Sequence, residues 1–358
     1  MERHFRRHYG VGGHIGAGVL ALVLGASAAL AAEGEDFFKG RTVSIITSTG
    51  AGGGYDLAAR LIAQHMPKYI PGKPTFVVRN MPGGGHTRAT NYLYAQAPKD
   101  GSTIGTVANI IPMHQVVDGK GVLYDARRFG WIGSTGISNM TVAVWRASGV
   151  ATIADATARQ VTLGATGVGS GTFIYPNVMN HVLGTKFKIV PGYQSSAEID
   201  LATVRGEVSG RGGGSYSSYE LEHPDWLRDG KVAFVAQIGL DPDKSLGKVP
   251  LLQDLAKNDE QRRILRFISS QVKVGRPFLA PPDIPADRLA VLRRAFDATM
   301  ADEAFLADAR KGQLELAPLN GEDLTAVVKE IVDTPPELVA KARAAIEPPA
   351  GVKGAAAE

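Results

Sequence analysis

The stretch Thr42-Val43-Ser44-Ile45-Ile46-Thr47-Ser48-Thr49-Gly50-Ala51-Gly52-Gly53-Gly54-Tyr55-Asp56 passes from a β-branched apolar run into a glycine loop. Val43, Ile45 and Ile46 suit a strand over residues 42–48. Beyond the loop, Leu57, Leu61 and Ile62 fall on one side of a helix over residues 56–66. A glycine loop that opens into a helix leaves the first amide N–H groups without partners and adds the partial positive charge of the helix start. Missing Cβ atoms also let a guest approach the backbone, so the segment reads as a seat for an anion. The plainer alternative is a tight turn that holds nothing. Asp56 would repel a bound anion unless its carboxylate turns to the loop's own amides, so scaffolding is its expected role.

A second loop of this kind, Thr166-Gly167-Val168-Gly169-Ser170-Gly171-Thr172, follows a strand over residues 161–165 and precedes a helix from Phe173. Its Ser170 and Thr172 offer hydroxyl donors. Two such loops suit a cleft in which each half of the molecule presents donors to one guest at the carboxyl ends of its strands. Neither loop continues into the Gly-Lys-Ser/Thr of a phosphate-binding loop or completes a dinucleotide fingerprint, so no cofactor is expected.

Strands are expected over residues 42–48, 75–79, 103–108, 140–145, 161–165 and 231–238, alternating with amphipathic segments over residues 56–66 and 87–96. Such alternation implies parallel sheets with crossover helices. Residues 285–300 and 321–346 read as helices, the second preceded by Asn320 and kinked or divided by Pro335-Pro336.

The chain has 358 residues, a formal net charge of +4 and no cysteine. Arg3, Arg6 and Arg7 precede an apolar run ending in Ala29-Leu30-Ala31, the pattern of a signal peptide over residues 1–31 cleaved near Ala31. Gly16, Gly18 and Gly25 break the run, which is short for a ~20-residue membrane span. A periplasmic location is therefore expected, by the general secretory or the twin-arginine route. With no thiol, the chain can carry neither a disulfide nor an acylated cysteine. The 358 residues less the 31 of the leader leave about 327. That exceeds the ~250–300 residues at which one core stops growing, so two lobes are expected. The leader holds a net +2 of the +4, and no basic run points to nucleic acid.

Further motifs occur in order: Asn80-Met81-Pro82-Gly83-Gly84-Gly85, Ala97-Pro98-Lys99-Asp100-Gly101-Ser102-Thr103-Ile104, Gly164-Ala165-Thr166-Gly167-Val168-Gly169-Ser170, Val190-Pro191-Gly192-Tyr193 and Pro281-Pro282-Asp283-Ile284-Pro285. Together with the first loop, this series resembles the Bug-type solute receptors of tripartite tricarboxylate transporters, over residues 38–331. The resemblance implies an α/β type II periplasmic-binding-protein fold, with two lobes, each a mainly parallel sheet flanked by helices, joined by crossover strands. The expected division is lobe 1 over residues 32–140, lobe 2 over 141–238, a return to lobe 1 with C-terminal helices over 239–347, and a frayed tail over 348–358. It also implies capture of a small carboxylate, without chemistry, by a monomer that meets membrane transporter subunits.

Carried over residue by residue, the first ligand loop falls on Thr49, Gly50, Gly52, Gly53, Gly54 and Asp56, and a strand-end contact on Asn109. The second falls on Thr166, Gly167, Gly169, Ser170, Gly171 and Thr172. Tyr193 and Ser195 border the pocket, although Gly192 is inserted relative to the common pattern. Where relatives carry an acidic residue, this chain has Gly210-Arg211-Gly212-Gly213-Gly214, and Arg211 either meets a second carboxylate bidentately or sits on the surface by a flexible turn. His65, His86, His114, His181 and His223 show no metal-ligand spacing. No Gly-x-Ser-x-Gly elbow appears. A periplasmic hydrolase or transferase using the same loops, and a receptor presenting its ligand to a sensor kinase, stay open as alternatives.

Overall fold

Two β-sheets, one in each lobe, carry the loops in this computed structural model, which describes residues 36–349 apart from 118 and 120, together with residues 1 and 352. The expected signal peptide and the expected tail lie almost wholly outside the described residues. In the first lobe β1 (Thr42–Thr47), β2 (Thr75–Asn80), β3 (Thr103–Thr106), β4 (Gly130–Ser134), β10 (Pro277–Ala280) and β11 (Leu319–Asn320) are ordered β11-β4-β10-β3-β1-β2. In the second, β5 (Met140–Trp145), β6 (Val161–Ala165), β7 (Phe187–Pro191), β8 (Gly210–Ser215) and β9 (Val232–Ile238) are ordered β7-β6-β8-β5-β9. Val43, Ile45 and Ile46 of β1 are all buried, as expected of an interior strand covered on both faces.

The two-lobed α/β architecture is the expected one, but the sheets are mixed rather than mainly parallel. β1 runs parallel to β2 and β3, and β6 to β7 and β8. β10 is antiparallel to β3 and β4, and β5 to β8 and β9. The cause is the path of the chain. Strands that carry it out of one lobe and back into the other enter their sheets against the direction set by the βαβ units. The two crossings, through residues 135–139 and 239–276, are tied together at the hinge: Thr135 N donates to Arg276 O at 3.2 Å, and Arg276 N to Gly136 O at 3.1 Å.

The segment expected to kink at Pro335-Pro336 divides there, into helices Gly321–Val332 and Pro336–Ile346. Asn320 caps the first, its side-chain oxygen accepting from the amides of Glu322 and Asp323. The second touches both lobes. Asn177 Nδ2 donates to Ile346 O at 2.9 Å from the second lobe, and Arg343 Nε donates to Val117 O of the first. The helix Pro336–Ile346 therefore packs on both lobes.

Candidate ligand-binding cleft

The strand β1 delivers the first loop to the edge of the cleft, and helix Gly54–His65 begins at its end with Gly53 in extended backbone at the cap. No side chain caps this helix, so its first amides keep their capacity to donate. The second loop is built alike: β6 leads to it, and helix Gly171–Val178 follows with Ser170 as an N-cap whose hydroxyl does not bond the helix amides. The two loops face one another across a cavity of about 670 Å³. Its wall includes Thr49, Gly50, Gly52, Gly53, Gly54 and Asn109 from the first lobe. The second lobe supplies Thr166, Gly167, Gly169, Ser170, Gly171, Thr172, Tyr193, Ser195 and Arg211.

The glycines explain themselves by what stands in front of them. A Cβ built on Gly50, Gly53 or Gly167 would meet no protein atom within 4 Å, whereas one on Gly133 would strike Phe296 at 2.4 Å and one on Gly164 would strike Ile199 at 2.6 Å. Glycines of the second kind make room for packing; those of the first kind keep the cavity open. Gly52 has a third reason, a φ of +89° that side chains rarely adopt.

Asp56 is the one predicted site residue turned away from this cavity. Its Oδ2 accepts from Gly52 N at 3.0 Å and Arg60 Nε at 2.8 Å, and its Oδ1 from Asn80 Nδ2 at 2.9 Å. Burial alone would raise its carboxyl, but the bonds from Arg60, Asn80 and Gly52 hold it below the ordinary aspartate range. It ties the loop to its own helix and to β2, because its carboxylate oxygens are taken by donors from Gly52, Arg60 and Asn80.

In the second loop the hydroxyls also turn inward. Thr172 Oγ1 accepts from Thr166 N at 2.9 Å and lies 2.5 Å from Ser170 Oγ, which in turn donates to Gly167 O at 2.7 Å. Main-chain amides are left to face the cavity. Ser195 is likewise engaged, capping helix Ser196–Val204 by accepting from Glu198 N at 3.2 Å. Asn109 differs: it is 6% exposed, its Nδ2 has no protein partner, and it lines the cavity. An unsatisfied buried donor there is what a polar guest would satisfy.

Arg211 is neither on the surface nor free. It is 2% exposed, and its Nε and Nη2 bond the two oxygens of Asp200 at 2.7 and 3.0 Å. The flexible turn expected around it is strand β8, inserted between β5 and β6. Glycine is required there by close approach: a Cβ on Gly212 would lie 2.9 Å from Pro176, and one on Gly210 would lie 2.1 Å from Ala143 O. Asp200, Glu222 and His223 together could hold a metal ion, but Asp200 already bonds Arg211 and His223.

Sequence reading did not single out Tyr55, Tyr175 or Arg276, and gave His86 and His114 no role; all five line the cavity. His86 Nδ1 lies 3.2 Å from Ser48 O, and burial holds its imidazole below the usual range. Tyr55 Oη accepts from Asn109 N at 3.0 Å and donates to Gly275 O at 3.3 Å. Arg276 is 5% exposed, and burial lowers its guanidinium's affinity for a proton. The only sequence signal for it was a cation placed directly before the buried strand Pro277–Ala280.

Fold and cleft together define a two-lobed α/β architecture with one cavity lined from both lobes. Its structural neighbours include the periplasmic binding protein BugD, with a TM-score of 0.65 and 20% identity over 85% of this chain and 97% of that one. MatC of Rhodopseudomonas palustris with bound malate has a TM-score of 0.65 and 18% identity over 84% and 99%. An R. palustris protein with adipate has a TM-score of 0.65 and 19% identity over 85% and 97%. No family model and no curated protein matches the sequence. The motif resemblance and the structural likeness thus meet on the same fold, which at these identities is what the likeness establishes.

Proposed function

We propose that this chain is a periplasmic solute receptor of the Bug type, which captures a small carboxylate between its lobes and performs no chemistry on it. One observation carries the reading: two glycine loops at helix starts, one from each lobe, line a single cavity of about 670 Å³. That volume suits a small metabolite. The carboxylate oxygens accept N–H bonds from both loops, and because both sets of bonds exist only with the lobes together, binding shifts the population towards the closed form. Membrane subunits of a tripartite transporter then read the closed surface of a monomeric receptor. Malate and adipate, bound by two structural neighbours, are the first ligands to try.

The test is a thermal-shift panel of carboxylates on the mature chain, with the best ligand recovered and weighed by mass spectrometry. Stabilisation by an acid recovered intact supports the proposal. Consumption of the acid favours the hydrolase or transferase alternative, and no shift with any carboxylate defeats the reading.

A further inference from the structure

Arg276 poses a problem that the fold alone does not solve. Its side chain is buried and lines the cleft, on the segment where the chain crosses back to the first lobe. No carboxylate lies within ion-pair distance of it among the described residues. Its side-chain bond is a long one, Nη1 to Ser138 Oγ at 3.5 Å, and Glu315 stands beyond that serine, whose Oγ donates to Glu315 Oε2 at 2.5 Å, so its charge is felt by the guanidinium without a bond between them. The other arginine on the wall, Arg211, is neutralised by Asp200. A desolvated guanidinium without a bonded counter-charge is costly, and the cost is relieved if an anion arrives.

The position of the group says where that anion sits. A Cβ on Gly54 would stand 3.4 Å from Arg276 Nε and 3.6 Å from its Nη2, so the guanidinium lies against the first turn of the helix whose amides open the cleft. Both line the same cavity. Asn109 Nδ2, the unpartnered buried donor, lines the same cavity.

We propose that Arg276 is the counter-ion of the bound ligand. A carboxylate seated on the amides at Gly53, Gly54 and Tyr55 takes a charge-assisted bond from this guanidinium, so the cleft selects a full negative charge and rejects neutral amides of the same shape. This rests on the carboxylate-receptor reading and adds to it the residue that sets the selection. Because the Arg276 main chain bonds Thr135 and Gly136, the ligand's charge is read at the hinge itself.

The experiment is calorimetric titration of malate, adipate and neutral adipamide into the wild type, Arg276→Met and Arg276→Gln, with apo melting curves for each. The expected result is that an acid binds the wild type and adipamide does not. Both variants should lose about 10- to 100-fold in affinity, the scale of one charge-assisted bond. Apo Arg276→Met should melt at or above the wild-type temperature, because an uncompensated buried charge has gone. Wild-type affinity in the variants overturns the role of Arg276 and leaves the receptor reading intact. Binding of adipamide as tight as adipate also overturns it. Loss of folding in both variants assigns the guanidinium to the fold and overturns it too. Failure of the wild type to bind either acid defeats the receptor reading and this inference with it.

Discussion

Gly85 of the first lobe and Gly169 of the second meet backbone to backbone: a Cβ built on Gly85 would stand 3.0 Å from Gly169 Cα and 3.1 Å from its carbonyl carbon. The triple-glycine turn and the second glycine loop thus touch across the cleft, and a side chain on Gly85 would press on the backbone opposite.

Gly85→Ala should therefore keep the lobes apart. The residue sits at φ +60°, so alanine is strained there as well as too large. Affinity for malate or adipate is expected to fall roughly tenfold, the effect of ~1.4 kcal/mol on closure. Small-angle scattering checks it: the contraction produced by ligand in the wild type should shrink or vanish in the variant.

Gly53→Val should separate binding from folding. Its Cβ would meet no protein atom within 4 Å, and the backbone there is extended, φ −102°, so valine suits the fold. The isopropyl group instead occupies the ligand's approach to the amides. Apo melting should match the wild type while ligand affinity falls about 100-fold, the value of one or two charge-assisted bonds. A retained ligand-induced thermal shift would remove this loop from the site.

Asp200→Asn should destabilise the second lobe by about 3–5 kcal/mol, because it leaves the buried Arg211 without its bidentate partner. Urea unfolding measures it. Asp200→Asn with Arg211→Met should recover much of the loss, since the uncompensated charge is then removed as well.

Stability should fall with acid in two steps. Burial holds the folded-state pKa of His86 below its unfolded value, so its contribution is complete above about pH 6.5 and declines as pH falls below that value. Asp200, raised by burial but pulled further down by Arg211 and His223, and Asp56, held down by Arg60, Asn80 and Gly52, act lower. Their contributions are complete above about pH 4 and are lost as pH falls through their depressed folded values. Urea titrations from pH 7 downwards test this, and His86→Gln should erase the upper step alone.

Much of the site was legible because its chemistry lies in the backbone. Gly50, Gly52, Gly53, Gly54, Gly167 and Gly169 announce exposed main chain between a strand and a helix, and the structure places all six on the wall of one cavity. What sequence hid was the behaviour of side chains that depend on distant partners. Ser170 and Thr172 read as donors, yet they bond one another and Gly167. The run Gly210 to Ser215 read as a loop because it lacks β-branched residues; it is an interior strand, since only glycine lets β8 lie so close to Ala143 and Pro176. Arg211 found its partner eleven positions away, and Arg276 joined the cleft through contacts with residues more than a hundred positions distant. No local pattern encodes either.

The last helix, Pro336–Ile346, hands its final carbonyls to Asn177 of one half and an arginine fork to Val117 of the other. It works like a door chain fixed to leaf and frame behind the pivot. For the two halves to swing wide one anchorage has to slip, so the work of opening includes breaking these bonds, and that work is returned when the mouth shuts on its guest.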